Sequence, residues 1–151
     1  MSKQWAQPTW IFFHTFIEQI NDNFYQQNCK TILQYIKNVC SVLPCPYCQE
    51  HAMEYMKRIQ PKHVKTRKEM RNMLFEFHNR VNLRLHKPLF QESHLEKYAR
   101  IDFIKVIKQF QFVMTKNYTL NRSFNEHMMR KRIIQNIFKF LQSNIKQFKR
   151  K

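Results

Sequence analysis

Thr66-Arg67-Lys68-Glu69-Met70-Arg71-Asn72-Met73-Leu74-Phe75-Glu76-Phe77-His78-Asn79-Arg80-Val81-Asn82-Leu83-Arg84-Leu85 reads as one capped helix. Thr66-x-x-Glu69 has the form of a capping box, in which each side chain satisfies a backbone N–H that the first turn leaves open. Met70, Met73, Leu74, Phe77, Val81 and Leu85 then recur at spacings of three and four, the apolar face of an α-helix. His78 and Asn82 are four apart and share a face, and Asn79 lies about 100° round from His78. A lone histidine on an apolar face is ordinarily a satisfied core residue. Three polar side chains within five residues of an otherwise Met-, Phe- and Leu-rich helix are less ordinary. An imidazole flanked by amides suits a flat heteroaromatic ligand.

The same periodicity runs through the rest of the 151 residues. Pro8, Trp10, Phe13, His14, Ile17, Ile20 and Phe24 predict a first helix over about residues 8–26, with Trp10 and His14 one turn apart. Ile32, Leu33, Ile36, Val39 and Cys40 mark a second, ending at Leu43-Pro44. Pro46 suits the first turn of a third, which runs to Gln60-Pro61. After the quoted helix, Ser93-x-x-Glu96 reads as a further capping box opening a helix through Phe103, Val106, Ile107, Phe110 and Met114. Asn117 to Arg122 reads as a turn, Ser123-x-x-Glu126 as a third box, and Ile134, Ile137, Phe138, Leu141, Ile145 and Phe148 as one last stripe.

Composition agrees with an all-α chain. There is no glycine, which excludes Gly-rich phosphate loops and argues against many tight hairpins. Hydrophobic residues make up 43% and aromatics 15%, enough for a core. No stretch approaches the ~20 apolar residues of a membrane span, and Met1 to Trp5 does not read as a signal peptide. The net charge is +17 and uneven: residues 1–102 carry 15 Lys+Arg against 9 Asp+Glu, whereas residues 103–151 carry 12 against 1. That asymmetry divides the chain into residues 1–102 and a basic helical extension, 103–151. The extension's basic face suits an acidic partner, a nucleic acid, an anionic membrane surface or solvent, and its apolar stripe suits core or dimer packing.

All four cysteines precede residue 49, so the chain is not a disulfide-dense scaffold. Cys45-Pro46-Tyr47-Cys48 lies at a predicted helix start, where amides and dipole favour thiolates, as in disulfide-exchanging centres. The same spacing opens many zinc sites. A zinc-binding, nucleic-acid-binding module would use Cys45, Cys48 and two of His51, His63, His78 and His86. It lacks a second tight ligand pair. A non-catalytic helical adaptor that docks through its basic last helix is the third reading. Cys29 and Cys40, if on one helix, stand about 16 Å apart along its axis, too far for a disulfide. Cys40 falls on the apolar stripe, whereas Cys29 could be exposed.

Three motifs together resemble one known family. Trp10-Ile11-Phe12-Phe13-His14 looks like its Trp-x-x-x-His start, Cys45-Pro46-Tyr47-Cys48 like its redox centre, and His78-Asn79-Arg80-Val81-Asn82-Leu83-Arg84-Leu85-His86-Lys87-Pro88 like its His-Asn-x-Val-Asn-x-x-Leu-x-Lys signature. The family is the Erv/ALR sulfhydryl oxidases, and the short, lysine-rich chain resembles the versions carried by large cytoplasmic DNA viruses. The resemblance covers about residues 5–100. It implies a four-helix bundle holding FAD with a short fifth helix, usually homodimeric. It implies oxidation of a dithiol protein, such as a thioredoxin-like carrier, with O₂ as electron acceptor, in a host cytoplasm or virion. By the same resemblance Cys45 exchanges with substrate and Cys48 faces the flavin. Trp10, His14, His78, Asn79, Val81 and Asn82 then surround the cofactor, with Lys87 near its polar groups and Tyr98 as an adenine-side aromatic. No metal belongs to this reading. The chain departs from cellular members in having no cysteine after the His-Asn motif and none in its tail.

Overall fold

The computed structural model describes residues 4–116, 118 and 124–149. Its helices are α1 (Ala6–Gln19), α2 (Asp22–Cys40), α3 (Pro46–Lys57), α4 (Arg67–Arg84), α5 (Phe103–Met114) and α6 (Phe124–Ser143). Short 3-10 segments lie at Pro61–His63, Glu92–Ala99 and Ile145–Gln147. The all-α expectation holds, and α1 to α4 supply most of one continuous core.

The expected first helix breaks six residues early. Ile20 is extended, and the Asn21 side chain accepts from the Phe24 N–H at 2.9 Å, capping α2 with Asp22 in its first turn. The break receives the C-terminal segment. Asn21 N donates to Gln147 O at 2.8 Å and Lys149 N to Gln19 O at 2.9 Å, an antiparallel bridge between Ile20 and Phe148. Arg67 from α4 closes the same corner, donating to Ile17 O at 3.2 Å and pairing with Asp22. A cation at a helix C-terminus meets open carbonyls and the negative end of the dipole.

The quoted helix forms as read: Thr66 accepts from Glu69 N at 3.1 Å, and Glu69 accepts from Thr66 N at 3.0 Å. The box expected at Ser93-x-x-Glu96 does not form. A 3-10 segment capped by Gln91 and His94 occupies 92–99, and α5 starts later, where Asp102 caps Ile104 and Lys105. Gln19 of α1 holds this segment in place, donating to Tyr98 O at 2.9 Å and Ile101 O at 2.7 Å. Ser123 and the turn around Asn117 and 119–122 lie outside the described residues, and α6 is described from Phe124 to Ser143.

Helices α5 and α6 share the core of the others. The Phe12 and Phe110 rings stack at 4.1 Å between centroids. Ile134, Ile137 and Leu141 of α6 are buried, and Phe148 packs on Phe16 and Phe103. The last stripe is therefore not one helix: α6 ends at Ser143, and Phe148 arrives on extended backbone.

Candidate active site

Chain geometry at Leu43–Cys48 puts a sulfur at a helix start. Pro46 occupies the first turn of α3, and Cys45 Sγ is the cap, accepting from the Cys48 N–H at 3.2 Å. Cys45 is half-buried and Cys48 buried. Gln49 braces the approach, donating to Leu43 O at 2.6 Å and to Glu126 of α6 at 2.6 Å.

Cys48 forms part of the wall of a cavity of about 890 Å³ between α1, α3, α4 and the segment after α4. This volume lies toward the upper end for small-molecule sites. Trp10, His78, Val81, Asn82, Lys87 and Tyr98 also line it. Sequence reasoning missed other wall residues, notably Phe90, Phe77 and Arg84. Phe90 sits in a loop, where periodicity carries no signal. Its cue was an aromatic two residues after Pro88, beside the predicted site helix.

The aromatic wall is layered. Trp10 lies flat on His78, with centroids 4.0 Å apart and planes 3° from parallel. His78 stacks on Phe90 at 4.7 Å, and Phe90 on His14 at 5.2 Å. His14 and Asn79 are not in the cavity wall. His14 stands behind His78, joined to it through Nε2···Nδ1 at 2.9 Å. Asn79 serves the loop: its amide donates to Phe90 O at 3.0 Å and accepts from Phe90 N at 2.6 Å. Thus α4 holds its own following segment, and Phe90 with it, against the site. The chain turns there through His86, whose φ of 58° lies in the left-handed region uncommon for a side-chain-bearing residue.

Electrostatics fix both imidazoles as neutral. Burial, then His78, Arg71 and Lys97, lowers the His14 pKa to about 3. Burial and Lys87 lower that of His78 to about 4. One neutral ring therefore donates its N–H to the lone pair of the other. Burial raises the Cys40 thiol to about 12, so it carries no thiolate at neutral pH. Cys29 and Cys40 lie on the same helix, whose kink at Asn28 precedes both.

The histidines offered to a zinc site are engaged or dispersed. His63 Nδ1 accepts from Gln60 N at 3.0 Å, and His78 holds His14. Among the described residues no three His, Cys, Asp or Glu side chains gather to hold a metal ion. No helix among them is long and apolar enough to cross a membrane.

Comparison with known proteins agrees with this geometry. A protein of Invertebrate iridescent virus 3, provisionally named a FAD-linked sulfhydryl oxidase, is 29% identical over 102 residues, covering 67% of this chain and 69% of that one. The FAD-linked sulfhydryl oxidase of African swine fever virus (isolate Pig/Kenya/KEN-50/1950) is 26% identical over 104 residues, 69% of this chain and 87% of the viral one. The mitochondrial FAD-linked sulfhydryl oxidase ERV1 of Saccharomyces cerevisiae is 25% identical over 95 residues, 63% of this chain and 50% of the yeast one. No solved structure matches. The model of the Erv1 / Alr family matches residues 7–103, which include the Trp10/His14 turn, the Cys45–Cys48 centre and the His78–Asn82 helix face, and the chain belongs to that family.

Proposed function

We propose that this protein is a FAD-linked sulfhydryl oxidase that makes disulfide bonds in a dithiol protein. The carrying observation is Cys48, a buried sulfur in the wall of a large aromatic-lined cavity, one helical turn from the more accessible Cys45. The relatives' names and the family match support the same reading.

The cavity fits FAD on its own features. A concave, mostly apolar cleft of about 890 Å³ with a few polar groups is the form small-molecule and cofactor sites take. Trp10, His78, Phe90 and Tyr98 offer flat faces, and Asn82 an amide. Lys87 and Arg84 bring cations to a site otherwise lined mainly by apolar groups. Arg84 Nε is buried there without a hydrogen-bond partner, a polar atom suited to a diphosphate oxygen. FAD held by these residues would supply a two-electron acceptor for the reduced Cys45–Cys48 pair, with O₂ as the final acceptor.

The chain's own steps are thiol–disulfide exchange. A substrate thiolate attacks Cys45 Sγ of the Cys45–Cys48 disulfide; the S–S bond breaks and its electron pair goes to Cys48. A second substrate thiolate attacks the substrate sulfur of the mixed disulfide and expels Cys45 as thiolate. Substrate leaves oxidised by two electrons, and Cys45 and Cys48 hold them. His14 holds the His78 ring in orientation, and Asn79 acts through Phe90. Cys40, the last residue of α2, also lines the cavity, but burial pushes its thiol up to about 12 and it takes no part in the exchange.

Residues 1–102 form the oxidase unit and 103–151 an accessory basic extension, a division supported by the family match ending at residue 103. Viral relatives support action in a host cytoplasm or virion, and family membership supports a homodimer. Purified protein that is yellow with about one flavin per chain, and that consumes oxygen with dithiothreitol, is the expected result. Colourless protein carrying zinc would overturn the proposal.

A further inference from the structure

A second groove, about 350 Å³, opens between α3 and α4 on the side of α3 that bears Tyr47 and His51. His51, Glu54, Tyr55, Arg58, Arg80 and Arg84 line it. Three guanidinium groups there face one carboxylate. Glu54 and, beyond the lining, Glu76 are the acidic neighbours, yet no carboxylate among the described residues lies within 4.0 Å of Arg58, Arg80 or Arg84. Arg80 lies over the Tyr55 ring at 5.8 Å and Arg84 over Tyr47 at 5.6 Å. Aromatic faces therefore hold two of the cations in position without neutralising them. A guanidinium fork held this way loses little freedom when it binds a carboxylate.

Location identifies the occupant. Tyr47 is the residue between Pro46 and Cys48, is 55% exposed, and carries Arg84 on its ring. The groove thus borders the redox centre on its solvent side. Whatever presents a thiol to Cys45 must bring flanking chain across or beside this rim. We propose that this groove, through Arg58 and Arg80, docks an acidic peptide segment of the thiol substrate, next to the cysteine whose thiolate attacks Cys45. The proposal rests on the oxidase reading above and extends it to substrate class. Charge complementarity of this kind acts chiefly on encounter and selection among partners.

The test uses flavin-loaded full-length protein and three synthetic dithiol peptides, identical except for Glu, Gln or Lys residues flanking the cysteine pair. The Glu peptide should exceed the Gln peptide in kcat/KM by about tenfold at low salt, and the difference should vanish near ~0.5 M salt, where exposed charges are screened. Arg58 and Arg80 do not line the large cavity, so Arg58→Gln/Arg80→Gln should abolish the preference while leaving dithiothreitol turnover intact. Lys105→Gln/Lys108→Gln makes the same change in net charge at exposed positions on α5, which packs on α1 and α6. That variant should keep the preference. Equal rates for the Glu and Gln peptides would overturn the proposal. So would equal loss in both double variants, which would reduce the preference to overall charge. No turnover of dithiothreitol by the unmodified protein would instead remove the oxidase reading, and the docking proposal with it.

Discussion

His14 and His78 share one hydrogen-bonding proton across 2.9 Å, and both rings stay neutral because burial disfavours their charged forms. Their folded pKa values, about 3 and about 4, lie below the unfolded value of 6.5. Between those limits the unfolded chain binds more protons, so acid favours unfolding. The contribution is complete above about pH 6.5 and is lost as pH falls through the window toward 4 and 3. Each imidazole can steepen the fall by up to about 1.4 kcal/mol per pH unit. The urea midpoint should therefore drop between pH 7 and about pH 5, and His14→Gln should drop less over that interval. An equal drop in the variant would show that carboxylates alone set the acid limb. At the redox centre, Cys45→Ser and Cys48→Ser should each abolish dithiothreitol turnover with flavin still bound. Normal oxygen uptake by either would sink the exchange mechanism. Trp10, His78, Val81, Asn82 and Cys48, which the family resemblance named as site residues, all line the cavity. The separate task of Asn79 was not legible in the sequence, since its partner, the Phe90 backbone, belongs to a loop whose path no periodicity encodes.

At the scale of elements, that loop is the part of the site with least regular structure. It runs from His86 to Gln91 between α4 and the 3-10 segment, and two Asn79 hydrogen bonds tie it back to the helix. Asn79→Ala would leave the Phe90 N–H and C=O without those partners, a loss of about 1–3 kcal/mol if they stay buried. The same variant should lose flavin faster on dilution, because Phe90 stacks on both histidines and lines the cavity. An unchanged midpoint with unchanged flavin retention would show that the loop holds itself. The starts of α3 and α4 were readable nearly to the residue, since Pro46 and the Thr66–Glu69 box are local signals, but α3 ends at Lys57, short of the expected Gln60. Two misreadings have physical causes. Apolar spacing continues from Ile17 and Ile20 to Phe24 across the α1–α2 junction, so it hid the Asn21 cap and the bridge to Phe148. Ser93-x-x-Glu96 matched the box pattern, but Asp102, with two N–H groups of its own to cap, starts α5 instead.

For the whole molecule, the question is why a chain whose family match ends at residue 103 goes on into α5 and α6. The core itself answers. Ile134, Ile137 and Leu141 are each 2% exposed or less, and Phe148 is buried against Phe16 and Phe103. Burying a side chain of this size contributes about 1.5–3 kcal/mol, and a domain's net stability is only about 5–15 kcal/mol. Four such residues therefore account for a sum comparable to the whole margin. The chain has no cysteine after Cys48, so packing, hydrogen bonds and the Ile20–Phe148 bridge must close this side of the fold. Helix α6 also reaches the residue after Cys48, where Gln49 donates to Glu126. Arg130 of α6 is buried in the fold, whereas Lys131, Arg132 and Lys139 are not. Ile137→Ala should cost about 2–5 kcal/mol. Deleting residues 119–151 should lower the melting temperature further and reduce flavin content, because cofactor retention depends on the folded fraction. A truncated protein with the same melting temperature, flavin content and oligomeric state would make the extension a separate docking device, its buried isoleucines notwithstanding. Loss of stability on deletion, matched in direction by Ile137→Ala, would make it the brace of a single cooperative core.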